Sequence, residues 1–131
     1  MSLFGAIDIS ATGVDAMQTW IDANAGNIAN ANDVSSPGTT PYEAQLVEFS
    51  PASPTGESGV TVAVDEDDSP GIVAHEPGNP LADTNGDVVL PDIALGDQLV
   101  GLVQAEEGYQ ADTSAISRAI TAYQQGMQIG S

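Results

Sequence analysis

The residues able to do chemistry are few. His75 is the single histidine; it stands beside Glu76 and just ahead of Pro77-Gly78. The chain has no cysteine, so His75 has no second nitrogen or sulfur ligand with which to hold a metal. A Ser-His-Asp catalyst would have to use His75, yet no Gly-x-Ser-x-Gly elbow is present. A phosphate-cradling loop needs a lysine, and the one Lys or Arg is Arg118. A lone histidine ahead of Pro-Gly reads as a surface residue in a turn. These absences leave no catalytic constellation, no cofactor site and no metal site, and they argue against an enzyme.

Asp83-Thr84-Asn85-Gly86-Asp87 places Asp, Asn and Asp at alternate positions, the way a calcium loop begins. Position six of that loop would be Val88 in place of glycine, and position twelve Ala94 in place of glutamate. A hairpin turn therefore accounts for the segment better than calcium does. The run Asp65-Glu66-Asp67-Asp68 reads first as a solvated loop and second as a loose collector of divalent cations. Together these segments define the alternative function, a secreted acidic module that binds divalent cations.

The charge balance narrows the partners. Nineteen acidic residues face the single cation Arg118, for a formal charge of −18. Nucleic acid and anionic membranes lack the cations they need here. The acidity reads first as a solubility device. Read as adaptation to a salty exterior, it predicts that self-assembly strengthens as salt screens like charges. No apolar stretch approaches the ~20 residues of a membrane span. The N-terminal Met1-Ser2-Leu3-Phe4-Gly5-Ala6-Ile7-Asp8 has no basic residue and too short an apolar run for a secretory signal.

The elements that must position any site are two helices and a β-rich middle. Leu95, Leu99, Leu102, Glu106, Tyr109, Thr113, Ile116, Ile120, Tyr123 and Met127 alternate in steps of four and three, a heptad seam. A weaker repeat of seven joins Ile7, Val14, Ile21 and Ile28. Residues 3–32 read as the first helix, ended by Asn and Asp residues and Ser35-Ser36-Pro37-Gly38. Between the helices, Ala44–Phe49, Gly59–Val64, Gly71–Ala74 and Val88–Leu90 read as short strands, with Asn85-Gly86 a tight turn. The fold class is α+β: two long terminal helices paired as a coiled coil around a small β-rich insert. The divisions are 1–33, 34–92 and 93–131. Antiparallel helices would each span roughly 45–50 Å. The polar seam positions Glu106 and Thr113 suit a face that meets neighbouring subunits. Such helices predict a free chain partly disordered at both ends.

Asn27-Ile28-Ala29-Asn30-Ala31-Asn32, closing the first helix, resembles the signature of the bacterial flagellar rod and hook axial proteins. In that family a Gly-Tyr or Pro-Tyr element follows; here it is Pro41-Tyr42, delayed by an insertion as in the proximal-rod members. Glu76-Pro77-Gly78-Asn79-Pro80-Leu81-Ala82-Asp83 and Tyr109-Gln110-Ala111-Asp112 are similar to two further family segments, in the family order. The resemblance covers nearly the whole chain. It implies a non-enzymatic subunit of the proximal rod, without cofactors, exported unfolded and uncleaved through the flagellar type III apparatus. It implies a place in the rod of the basal body, across the periplasm and cell wall. The implied partners are proximal and distal rod proteins, copies of itself and the basal-body adaptor protein FliE. The assembly residues expected are Ile7, Val14, Ile21, Asn27, Ile28, Asn30, Tyr42, Pro77, Gly78, Leu99, Leu102, Tyr109, Gln110, Ile116, Arg118 and Ile120. As the sole cation, Arg118 is the candidate for an ion pair across a subunit boundary.

Overall fold

The computed structural model describes residues 2–55 and 58–130. Met1, Gly56, Glu57 and Ser131 lie outside the described residues, and with them the outermost limits of the two terminal segments. The order is α1 (Leu3–Asn30), β1 (Gln45–Pro51), β2 (Val60–Glu66), β3 (Ile72–His75), β4 (Asp87–Leu90) and α2 (Leu95–Ile129). This is the α+β arrangement expected from the repeats. The Ser2 hydroxyl caps α1 by accepting from the Gly5 amide at 3.0 Å. The helix stops two residues short of the expected 32, and α2 continues to Ile129.

α1 and α2 pack antiparallel. Phe4 meets Tyr123 edge-on with ring centroids 5.4 Å apart, Gly13 faces Asp112, Gly108 faces Met17, and Gly101 faces Asn24. The positions that touch differ from the expected seam. Buried residues on α1 are Gly13, Ala16, Ala23, Asn24 and Asn27; on α2 they are Gly101 and Ala105. These fall beside the heptad positions, which are left half-buried or exposed. Small residues let the two backbones approach closely, and close approach moves the bulkier apolar side chains to the flanks of the contact.

The insert has two parts. β1 and β2 form one antiparallel pair, from Gln45↔Glu66 to Pro51↔Val60, laid against α1. Phe49 meets Trp20 edge-on at 5.5 Å, and the Val60 amide donates to Thr12 Oγ1 at 3.0 Å. β3 and β4 form a second antiparallel pair, from Ile72↔Leu90 to His75↔Asp87. This pair packs on the 34–41 connection through a Ser35↔Val89 bridge, and among the described residues it touches no other helix or strand. The buried hydrophobic residues are Ala16, Ala23, Ala44, Val88, Val89 and Ala105. Among the described residues, Val88 and Val89 are the ones of these larger than alanine, beside the buried prolines Pro41 and Pro91, and full burial of such a valine contributes about 1.5–3 kcal/mol. A core this slight leaves the chain marginal by itself.

Two local expectations change. His75 ends β3 and is not in a turn: its Nδ1 lies 3.0 Å from Asp87 Oδ1 across the pair. It remains exposed, as expected. Asp65 and Glu66 belong to β2, opposite Leu46 and Gln45, so only Asp67 and Asp68 are loop.

Candidate assembly site

The Asn27 side chain, 1% exposed, is where α1, the Tyr42 connection, β1 and α2 meet. Its Nδ2 donates to the Gln45 carbonyl oxygen and to Gln98 Oε1, each at 2.9 Å. Its Oδ1 accepts from the Gln45 amide at 2.8 Å and from the Tyr42 hydroxyl at 3.2 Å. A carboxamide has two donors and two acceptor sites, and here all four are filled. The pairing with Gln45 has a strand logic. The Ala44 carbonyl accepts from Asp67 on the β2 side, so the next residue, Gln45, turns its amide and carbonyl away from β2. Asn27 satisfies both, as a residue of a neighbouring strand would. One side chain thereby joins α1, the Tyr42 loop, β1 and α2.

Asn30 of the motif, and Asn24 one turn before that motif, face their own helix. Asn24 Nδ2 donates to the Trp20 carbonyl, and Asn30 Nδ2 to the Gly26 carbonyl, both at 2.8 Å. Neither caps the helix end, which Ala31 forms through its backbone. A methyl group added at Gly26 would lie 3.5 Å from the Tyr42 hydroxyl, in ordinary van der Waals contact. The Tyr42 expectation and the Asn27 expectation thus converge on one cluster.

The remaining expected residues are dispersed. Ile7, Val14, Ile21 and Ile28 run half-buried along α1 beside its contact face. Leu102, Tyr109 and Ile116 are half-buried on α2, while Leu99, Gln110, Arg118 and Ile120 are exposed. Thr113, one of the polar seam positions, donates its hydroxyl to the Tyr109 carbonyl at 2.9 Å. Arg118 makes no ion pair among the described residues. Pro77 and Gly78 sit exposed in the connection from β3 to β4, and nothing lies within 4 Å of where a Gly78 side chain would start. In the Tyr109-Gln110-Ala111-Asp112 motif, it is Asp112 that lies over Gly13.

The Asp83 carboxylate is occupied by its own turn: Oδ1 accepts from the amides of Asn85 at 2.8 Å and Asp87 at 3.0 Å. The Asp87 amide bond chiefly lowers its pKa, slight desolvation by neighbouring atoms opposes that, and the Asn85 amide lowers it further. Gly86, at φ +82°, supplies the left-handed residue that Asn-Gly promised.

Sequence reasoning missed Gln98 and Gln45, whose roles depend on partners 71 and 18 residues away from them. It also missed the Gly101, Ala105, Gly108 and Asp112 face, although that spacing of four, three and four was visible among small residues.

No family model matches the chain. Curated relatives do. The chain is 34% identical over 120 residues to the flagellar basal-body rod protein FlgC of Yersinia enterocolitica, covering 89% of this chain and 90% of that one. It is 35% identical over 120 residues to the protein of that name in Salmonella typhimurium, with the same coverage. The Aquifex aeolicus protein of the same name is 34% identical, covering 89% of each chain. Identity at this level over nearly the whole length carries both terminal helices and the insert together, and the chain belongs to the FlgC family of flagellar basal-body rod proteins.

Proposed function

We propose that the chain is a structural, non-enzymatic subunit of the flagellar proximal rod. In this reading it polymerises with other rod proteins into the hollow drive shaft that transmits torque. The observation that carries it is the placement of size along the helices. The buried positions of their mutual contact are Gly, Ala and Asn, while Leu95, Leu99, Val100, Val103, Ile120 and Met127 stand 43–58% exposed on α2. A chain with so slight a core and so much apolar helix surface gains its stability from neighbours.

The three parts divide the work. Residues 1–33 and 93–131 form the inner wall through the flanks of the helix pair, with Ile7, Val14, Ile21 and Ile28 on one helix and Leu99, Leu102, Tyr109, Gln110, Ile116, Arg118 and Ile120 on the other. Residues 34–92 are held at a set angle by Asn27 and Tyr42, with Asn30 bonded back onto α1 beside them, and present Pro77 and Gly78 outward. The partners are proximal and distal rod proteins, further copies, the adaptor FliE and the type III export apparatus, through which the chain passes uncleaved to reach the rod. The test is imaging of basal bodies, with a motility assay, in cells lacking the gene. Motors that stop at the membrane rings without rod or hook are the expected outcome. Intact basal bodies with normal swimming would overturn the assignment.

A further inference from the structure

Charge is unevenly placed along the helix pair. All nineteen acidic residues lie between Asp8 and Asp112, so α2 from residue 113 onward has no acid and holds Arg118. Antiparallel pairing sets this stretch beside the first turns of α1, where Phe4 meets Tyr123. The same end is apolar and uncovered: Ile120 is 45%, Met127 52% and Ile129 87% exposed. The other end of α2 exposes Leu99, Val100 and Val103, and the carboxylates of Asp97 and Glu107 stand exposed near them.

Two copies at −18 repel across most pairs of surfaces within the ~8 Å screening length of physiological salt. Repulsion is least where one side has no acid but the exposed Asp8 of α1, and it turns to attraction where that side brings Arg118 to the other's carboxylates. Apolar side chains on both sides then leave water together. A contact between unlike ends leaves one end of each kind free, so it repeats along an axis, whereas like ends would close into a dimer.

Building on the rod reading, we propose that the acid-free end of α2 seats on the Leu99–Val103 face of a second copy of this chain, with Arg118 against that copy's carboxylates. The absence of cysteine makes the contact traceable. Full-length Met127→Cys and Leu99→Cys chains are mixed and oxidised at ~0.15 M salt, with Ala63→Cys, exposed on β2, as the control partner. The expected result is a mixed disulfide dimer well above the control. Adding Arg118→Glu to the Met127→Cys copy should lower it about fivefold, the loss of roughly 1 kcal/mol of ion pairing, and Arg118→Lys should restore it. Unchanged helical circular dichroism in each variant excludes misfolding as the cause. Met127→Cys pairing mainly with itself, or a mixed dimer at the control level, would overturn the proposal. Rods that still assemble in cells alongside a control-level mixed dimer would overturn this contact while leaving the rod assignment standing.

Discussion

The inner face of the helix pair and the flank beside it are built from different residues, and the difference separates two jobs. The inner face is Gly13, Ala16, Ala23, Asn24 and Asn27 against Gly101 and Ala105. The flank carries Leu99, Val103 and Ile120, each 45–54% exposed. Small residues fix how near and in what register the chain's own helices lie. Large residues outside that contact are left for other chains. Losing an inner residue should therefore unfold the subunit, and losing a flank residue should spare the subunit but weaken assembly.

The largest effect belongs to Asn27. Asn27→Leu leaves the Gln45 amide and carbonyl, the Tyr42 hydroxyl and the Gln98 amide oxygen without their partner. Each buried unsatisfied group costs about 1–3 kcal/mol, so a loss of at least roughly 3 kcal/mol is expected in urea unfolding. A loss below about 1 kcal/mol would mean that the insert is free to leave the helices.

Next comes a pair of substitutions. At Gly101 a methyl group would lie 2.8 Å from Asn24 Oδ1, an atom of a side chain already tied to the Trp20 carbonyl. Overpacking of about 1–3 kcal/mol outweighs the ~1 kcal/mol gain in helix propensity, so Gly101→Ala should destabilise the isolated chain. Leu99→Ala, two positions away but exposed, should change stability by less than about 0.5 kcal/mol and yet reduce rod formation in a complementation assay. If the two substitutions behave alike in both measurements, the division between inner face and flank fails.

Gly126→Ala sharpens the contrast from the opposite side. Nothing lies within 4 Å of the added methyl group, so the free chain should gain about 0.5–1 kcal/mol from helix propensity alone. Thermal unfolding followed by circular dichroism checks it; destabilisation would reveal a contact made by the end of α2.

Legibility followed the same division. Helix existence and extent were readable because apolar periodicity persists whether a face meets its own chain or another. Asn85-Gly86 was readable because a turn is local chemistry, completed by Asp83 two to four residues away. The rotation of the contact was hidden, because a heptad reading weights Leu and Ile, whereas the approach of two backbones is limited by Gly13 and Gly101. The four bonds of Asn27 were hidden for another reason: they are set by tertiary placement. His75 was misplaced because Glu76-Pro77-Gly78 announces a turn without saying that the strand runs up to its edge.

The smallest expected effect compares two side-chain oxygens that hold backbone amides. Asn27 Oδ1 accepts from Gln45 and Asp83 Oδ1 from Asn85, both at 2.8 Å. Asn27 is buried and uncharged; Asp83 is exposed and titrates below the ordinary carboxylate value near 3.8. A depressed folded value means that the turn's contribution to stability is complete above that ordinary value. It fades as pH falls through the lowered one. Amide chemical shifts of Asn85 and Asp87 should therefore titrate together below pH ~3.8, while the Gln45 amide stays fixed over the same range. In Asp83→Asn the two turn amides should lose that titration. If the Gln45 amide moved in step with them, the β3–β4 hairpin and the Asn27 cluster would be one cooperative unit, contrary to the absence of contact between that hairpin and either helix.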